Sequence, residues 1–188
     1  MITVLEGKNV DVIQPFPVKE IDAAIGWLHC YKTLILGDEG PANDEQTAEF
    51  LRLCVNNIHT WGIIDKFNLT KATKTDVPIV GLVMFEQTSP TDGWFHITSN
   101  RRAWGSKLIQ PSLAQEAGEL VVSNLFENTG LTRLSSITTA NNKAAYAMLK
   151  QLGFVKDGYF KDSVVQGGEV KDTIHFGRVR NYVSIQAA

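Results

Sequence analysis

Between residues 86 and 142 the sequence sets out the side chains that could move a proton or hold an anion. Glu86 closes the run "PIVGLVMFEQT" and His96 sits inside "GWFHITS". Either could act as a general base near neutral pH. Each also has a plainer reading: a surface carboxylate at a strand end for Glu86, and a packed or edge imidazole beside Trp94 and Phe95 for His96. Arg101, Arg102 and Lys107 surround Gly105 in "RRAWGSK" and could hold phosphate groups through their side chains. A solvated basic loop with nothing bound is the alternative. Ser112 opens a helix whose first N–H groups form an anion site. Asn142 stands at the front of another helix, where it offers a side-chain amide, an N-cap, or both.

The elements that must position these groups follow from periodicity. "TVLEGKNVDVIQ" reads as strand, with a hairpin around Gly7-Lys8 as a variant. "PVKEIDAAIGWLHC" places Val18, Ile21, Ile25 and Leu28 on one helical face. A helix after Asn43, with Gln46 three residues on, lines up Thr47, Leu51, Cys54, Val55 and Ile58. "WGIIDKF", "PIVGLVMFEQT" and "GWFHITS" read as strands. "SLAQEAGELVVSNLFENTG" is the clearest helix, with a Ser112/Gln115 capping box and Gly130 at the expected C′ position. A strand "TRLSSITT", a helix "NKAAYAMLKQL" ending on Gly153, and the closing strands "FVKDGYF" and "VKDTIHFGRV" complete the chain. This order predicts an α+β fold, a mixed central sheet of six to seven strands flanked by about four helices. Trp61, Trp94 and Trp104 read as core aromatics.

Bulk properties narrow the functional class. The 188 residues suit one domain spanning 1–188, and 44% apolar with 20% charged residues is ordinary globular composition. A net charge of −2 and a pI near 6.1 argue against a nucleic-acid partner. No apolar run reaches the ~20 residues of a membrane helix, so no membrane partner is expected. "MITVLEGKNVDVIQ" has no basic or apolar leader pattern, and Cys30 and Cys54 form no CxxC. A reduced, cytoplasmic chain is the expectation. The four histidines are scattered, and no metal is expected.

The stretch "NNKAAYAMLKQLGFVKDGYFKD" carries a more specific likeness. With Asn142, Leu149, Gly153, Phe154 and Gly158, then Gly167-Gly168 and Asp172, it is similar to the N-x-x-S-x-x-x-hydrophobic-x-x-x-G-F-x-x-x-G signature of GNAT acyltransferases that acetylate ribosomal-protein N-termini. Glu116-Ala117, Phe126, Gly130-Leu131 and Arg133 stand at that subgroup's spacing. The likeness covers roughly residues 78–179; the N-terminal part follows by element order alone. It implies acetyl-CoA as co-substrate, with Ile97 and Ser99 backbone groups, Arg101, Arg102, Lys107, Ser112 and Asn142 as cofactor-binding candidates. Glu86 and His96 become the catalytic candidates. Three sites depart from the pattern. Gln110 and Ser112 replace the family's loop glycines, and Pro111 removes an N–H donor. Ala145 replaces a Ser. Leu149 stands where many members carry a Tyr acid, and Tyr146, one turn earlier, reads as packing.

The implied reaction is attack of an amine on a thioester. An α-amine with pKa near ~8 is ~10% neutral at pH 7, against ~0.04% for a lysine near ~10.4, so an N-terminal acceptor asks only for a weak base. The expected acceptor is an amine of a protein, peptide or small molecule. A GNAT-fold binding module without catalysis, and a small-molecule acetyltransferase using the acidic segment Asp38–Glu45, are the alternatives. Oligomeric state, including a homodimer through the closing strands, stays open.

Overall fold

The computed structural model describes residues 2–22, 24–26, 28, 41, 43–57, 59–67, 79–104 and 112–180. Strands β1 (Thr3–Glu6) and β2 (Val10–Gln14) lead through a 3-10 turn at Val18–Glu20 into helical residues over 21–28 (α1). Next come α2 (Asp44–Asn57), β3 (His59–Asp65), β4 (Ile79–Gln87), β5 (Asp92–Ser99) and a 3-10 turn at Arg101–Trp104. Then follow α3 (Leu113–Asn128), β6 (Arg133–Thr139), α4 (Lys143–Gln151), β7 (Val155–Gln166) and β8 (Glu169–Val179).

The strands form one sheet in the order β1-β2-β3-β4-β5-β6-β8-β7. Every neighbour is antiparallel except β5 and β6. The sheet has eight strands, more than the six to seven expected, because the first strand-like segment folds back on itself. The Gly7 N–H donates to the Val10 carbonyl at 2.8 Å, and Glu116 takes the N–H and the Nδ2 of Asn9 at 2.8 and 2.7 Å. A Cβ on Gly7 would lie 2.5 Å from Glu116 Oε1, so only glycine lets the turn dock against α3.

Two cores sandwich the sheet. On one face, Ala117, Val121 and Leu125 of α3 and Leu149 of α4 pack against Val12, Trp61, Val83, Phe85, Phe95 and Leu134. On the other, Ile21, Ala24 and Leu28 of α1 and Ala48, Leu51 and Cys54 of α2 pack against Leu82 and Met84. Most of the apolar spacing read from the sequence is buried, but Val18, expected on the first helical face, is 60% exposed on the 3-10 turn before α1.

Local signals set the helix ends. Ser112 Oγ accepts the Gln115 N–H at 3.1 Å, and Asn43 Oδ1 accepts that of Gln46 at 2.9 Å. Gly153, at φ +73°, ends α4. Gly130 differs from the expected C′ role, since its φ is not positive. Thr129 closes α3 instead, sending its N–H to the Leu125 carbonyl at 3.2 Å and its hydroxyl to the same oxygen. The closing hairpin turns on Gly167 and Gly168, at φ +66° and +72°.

Candidate active site

The parallel pairing of β5 with β6 runs only from Asp92↔Arg133 to Trp94↔Ser135. Beyond that point β5 continues to Ser99 and β6 to Thr139, each held only by its outer neighbour. The two strands therefore splay into a V. A cavity of about 340 Å³ lies in this gap, in the size range of small-molecule sites.

The direction of the β5 backbone in the gap follows from its ladder with β4. The Asn100 N–H donates to the Val80 carbonyl at 2.7 Å. In an antiparallel ladder, hydrogen-bonded pairs recur every second residue, so Leu82/Thr98 and Met84/His96 are the bonded pairs. Ile97 and Ser99 then turn their N–H and C=O groups the other way, toward the edge that β6 has left. The Ser99 carbonyl there accepts Trp104 Nε1–H at 3.2 Å. The Ile97 N–H and C=O and the Ser99 N–H form a bare strand edge along one wall of the cavity. Such an edge suits an extended, amide-bearing chain.

Side chains alternate across this wall. Phe95 and Ile97 join the core beneath α3, whereas Trp94 and His96 face the other way. His96 lines the cavity, opposite Met84 and stacked on Trp94 at 6.4 Å between ring centroids. Burial holds its pKa below the ordinary 6.5, with the charge of Glu86 opposing in part. Desolvation wins, and the ring is neutral at pH 7. Glu86 opposes Trp94 on the same face, an exposed carboxylate one diagonal step from His96. It does not line the cavity and acts on His96 through its field.

The opposite wall is β6 and α4. Ser136 and Thr138 line the cavity although the residues are only 4% and 8% exposed. Asn142 caps α4, its Oδ1 accepting the Ala145 N–H at 3.1 Å, and it lines the cavity as well. Ala144, Ala145 and Ala147 of α4 keep the rest of that wall small. Ala114, in the first turn of α3, closes the floor.

The other candidates from the sequence fall as follows. Ser112 is 5% exposed and spends its hydroxyl on the α3 cap. Arg101 is exposed on the turn directly after β5, and Arg102 shares that turn. Lys107, Gly105 and Pro111 lie outside the described residues, as do His29, Cys30 and half of Asp38–Glu45. Tyr146 packs edge-on against Phe176 at 5.4 Å, which is the packing role expected. Asp172 binds the Tyr159 hydroxyl and the Asp162 N–H, tying β7 to β8. Trp61 is core, but Trp104 is 40% exposed on a 3-10 turn and lines the cavity.

Sequence reasoning missed Ser136 and Thr138. Four of the seven β6 residues carry a hydroxyl, so spacing alone does not single these two out. No group of metal-ligating side chains occurs among the described residues, and none of their helices is long and apolar enough to cross a membrane.

Comparison with known proteins agrees with this geometry. The model of the acetyltransferase (GNAT) domain matches residues 18–155. A GNAT-family acetyltransferase from Bacillus anthracis superposes with a TM-score of 0.73 at 17% identity, covering 94% of this chain and 98% of that one. The ribosomal-protein-S5-alanine acetyltransferase of Vibrio fischeri gives a TM-score of 0.69 at 16% identity, over 96% and 98% of the two chains. A ribosomal-protein α-N-acetyltransferase in complex with coenzyme A gives 0.73 at 10% identity, over 94% and 98%. No curated protein matches by sequence.

Proposed function

The chain belongs to the GNAT acetyltransferase family, and we propose that it uses acetyl-CoA to acetylate a primary amine, that of a protein or peptide N-terminus. The observation that carries the reading is the V between β5 and β6, with the bare Ile97–Ser99 edge on one side and Asn142 on the other. The pantetheine arm lies along that edge. The α3 N-terminus beyond Ala114, with Arg101, Arg102 and Lys107, serves the phosphates.

His96 is the general base. Its neutral ring takes the proton that the amine sheds as the C–N bond forms, while a backbone N–H on the β5 edge steadies the carbonyl oxygen. Glu86 favours the imidazolium that results. A neutral imidazole is a weak base, which matches an α-amine already ~10% neutral at pH 7 better than a lysine. The ribosomal-protein acetyltransferases among the similar structures support the same acceptor class.

Titration with acetyl-CoA tests the first half of this reading. Ligand at 100 times its dissociation constant adds ~2.7 kcal/mol of apparent stability, a large thermal shift. Thiol release with peptides bearing free or blocked N-termini tests the second half. Turnover confined to free N-termini is expected. No stabilisation at sub-millimolar acetyl-CoA overturns the reading. Binding without turnover on any amine returns the chain to a non-catalytic binding module.

A further inference from the structure

The V has a polar feature that the base and the strand edge leave unused. Ser136 and Thr138 are more than nine-tenths buried, both line the cavity, and neither hydroxyl has a partner among the described residues. Neither is sealed off, because among the described residues the buried side-chain atoms without partners are Trp61 Nε1 and Thr139 Oγ1. Hydroxyls open to a cavity and not used within the protein can donate to whatever occupies it.

Their place in the V separates them. Ser136 is the first β6 residue past the last pair, Trp94↔Ser135, and so lies at the vertex. Continuing that parallel register sets Ser136 level with Phe95 and Ile137 level with His96. Ser136 shares the face of Leu134, beneath α3, whereas His96 faces the opposite side with Trp94. The two groups thus approach the gap from opposite faces of the sheet, one residue apart in level. Thr138 lies two residues further out, toward Asn142.

We propose that Ser136 Oγ–H is the hydrogen-bond donor to the departing sulfur, standing in for the acid that Leu149 and Ala145 cannot supply. The proposal rests on the acetyl-transfer reading. The amine attacks from the His96 side and the C–N bond forms. The C–S bond breaks, its electron pair stays on sulfur, and the amine's proton passes to His96. Ser136 keeps its proton and stabilises the thiolate, since an alkyl hydroxyl is far too weak an acid to give it up. The thiolate takes its proton from solvent or from the imidazolium after release. Thr138 contacts the arm and contributes to binding alone.

The test separates catalysis from binding. Ser136→Ala is expected to lower kcat about 10- to 100-fold, the worth of a hydrogen bond to a charged group, with acetyl-CoA affinity unchanged. Thr138→Val is expected to weaken acetyl-CoA binding. Ser136→Thr restores most of kcat. A second readout needs no turnover: the thiol of bound coenzyme A, followed by its ultraviolet thiolate band, titrates at lower pH in the wild type than in Ser136→Ala. Equal thiol titration in the two proteins, or an unchanged kcat, overturns the role of Ser136 and leaves acetyl transfer standing. Failure of the wild type to bind coenzyme A and acetyl-CoA overturns both.

Discussion

Asn142 Oδ1 accepts the Ala145 N–H at 3.1 Å, so the amide that fronts the cavity is also the one that starts α4. The two roles use different atoms: the cap needs the oxygen, and a cofactor contact has the Nδ2 donor. Asn142→Ala should cost about 1 kcal/mol of stability, the usual worth of an N-cap, and should weaken acetyl-CoA binding. Asn142→Asp keeps the cap and removes the donor. Denaturant unfolding should place Asp near the wild type and Ala below it, while both lose affinity. Equal affinity for Asp and wild type would reduce Asn142 to a cap.

His96 gives the stability a pH dependence with a definite sign. Burial depresses its folded pKa below the ordinary 6.5, so between those two pH values the unfolded chain binds more protons than the folded one. Stability therefore climbs with pH through that window and levels off above 6.5. Unfolding free energies measured across the window should show the climb in the wild type and lose this part of it in His96→Gln.

The same group sets the activity profile. With an α-amine acceptor, kcat/KM falls as pH drops below the amine's ~8, and falls twice as steeply once His96 also protonates. His96→Gln should lose roughly 10²-fold at pH 7 and keep only the shallower limb. An unaltered profile would move the base elsewhere.

The elements of this fold were legible where one residue fixes one local event. Ser112 with Gln115, Asn43 with Gln46, and Gly153 all act within a few residues, and the structure uses them as the sequence suggests. Gly130 shows the limit: glycine permits a left-handed C′ but does not impose it, and Thr129 closed α3 first. The site was less legible. His96, Ile97 and Ser99 lay on a recognisable strand, but the V exists because β6 leaves β5 after Ser135, a long-range choice with no local signature. Ser136 and Thr138 read as ordinary strand residues for the same reason. Their side of the sheet has meaning only once α3 and α4 cover it.

Gly153 and Gly130 provide a paired test of that limit. Gly153 needs a positive φ, and an added Cβ there would meet nothing closer than Arg178 Nε at 3.5 Å, so the cost of Gly153→Ala is conformational. It should be about 1–2 kcal/mol. Gly130→Ala should fall within about 0.5 kcal/mol of wild type, since its Cβ would sit in ordinary contact, 3.5 Å from the Pro90 carbonyl oxygen. Equal costs at the two positions would contradict the assigned helix ends.

Gly93 links packing to the site more directly. It lies in the short stretch where β5 still pairs with β6, immediately before the strands part. A Cβ there would come within 2.2 Å of Phe85 Cε2 and 2.8 Å of the Glu86 carbonyl oxygen. Phe85 is 2% exposed and packed in the α3 core, so its ring has no room to retreat. Gly93→Ala should cost about 1–3 kcal/mol by overpacking. Because the displaced segment is the one that sets where the V opens, acetyl-CoA affinity should drop as well, under conditions where the variant is still folded. A variant that loses stability but binds acetyl-CoA like the wild type would show that the V is held from its outer neighbours, β4 and β8, and not from its vertex.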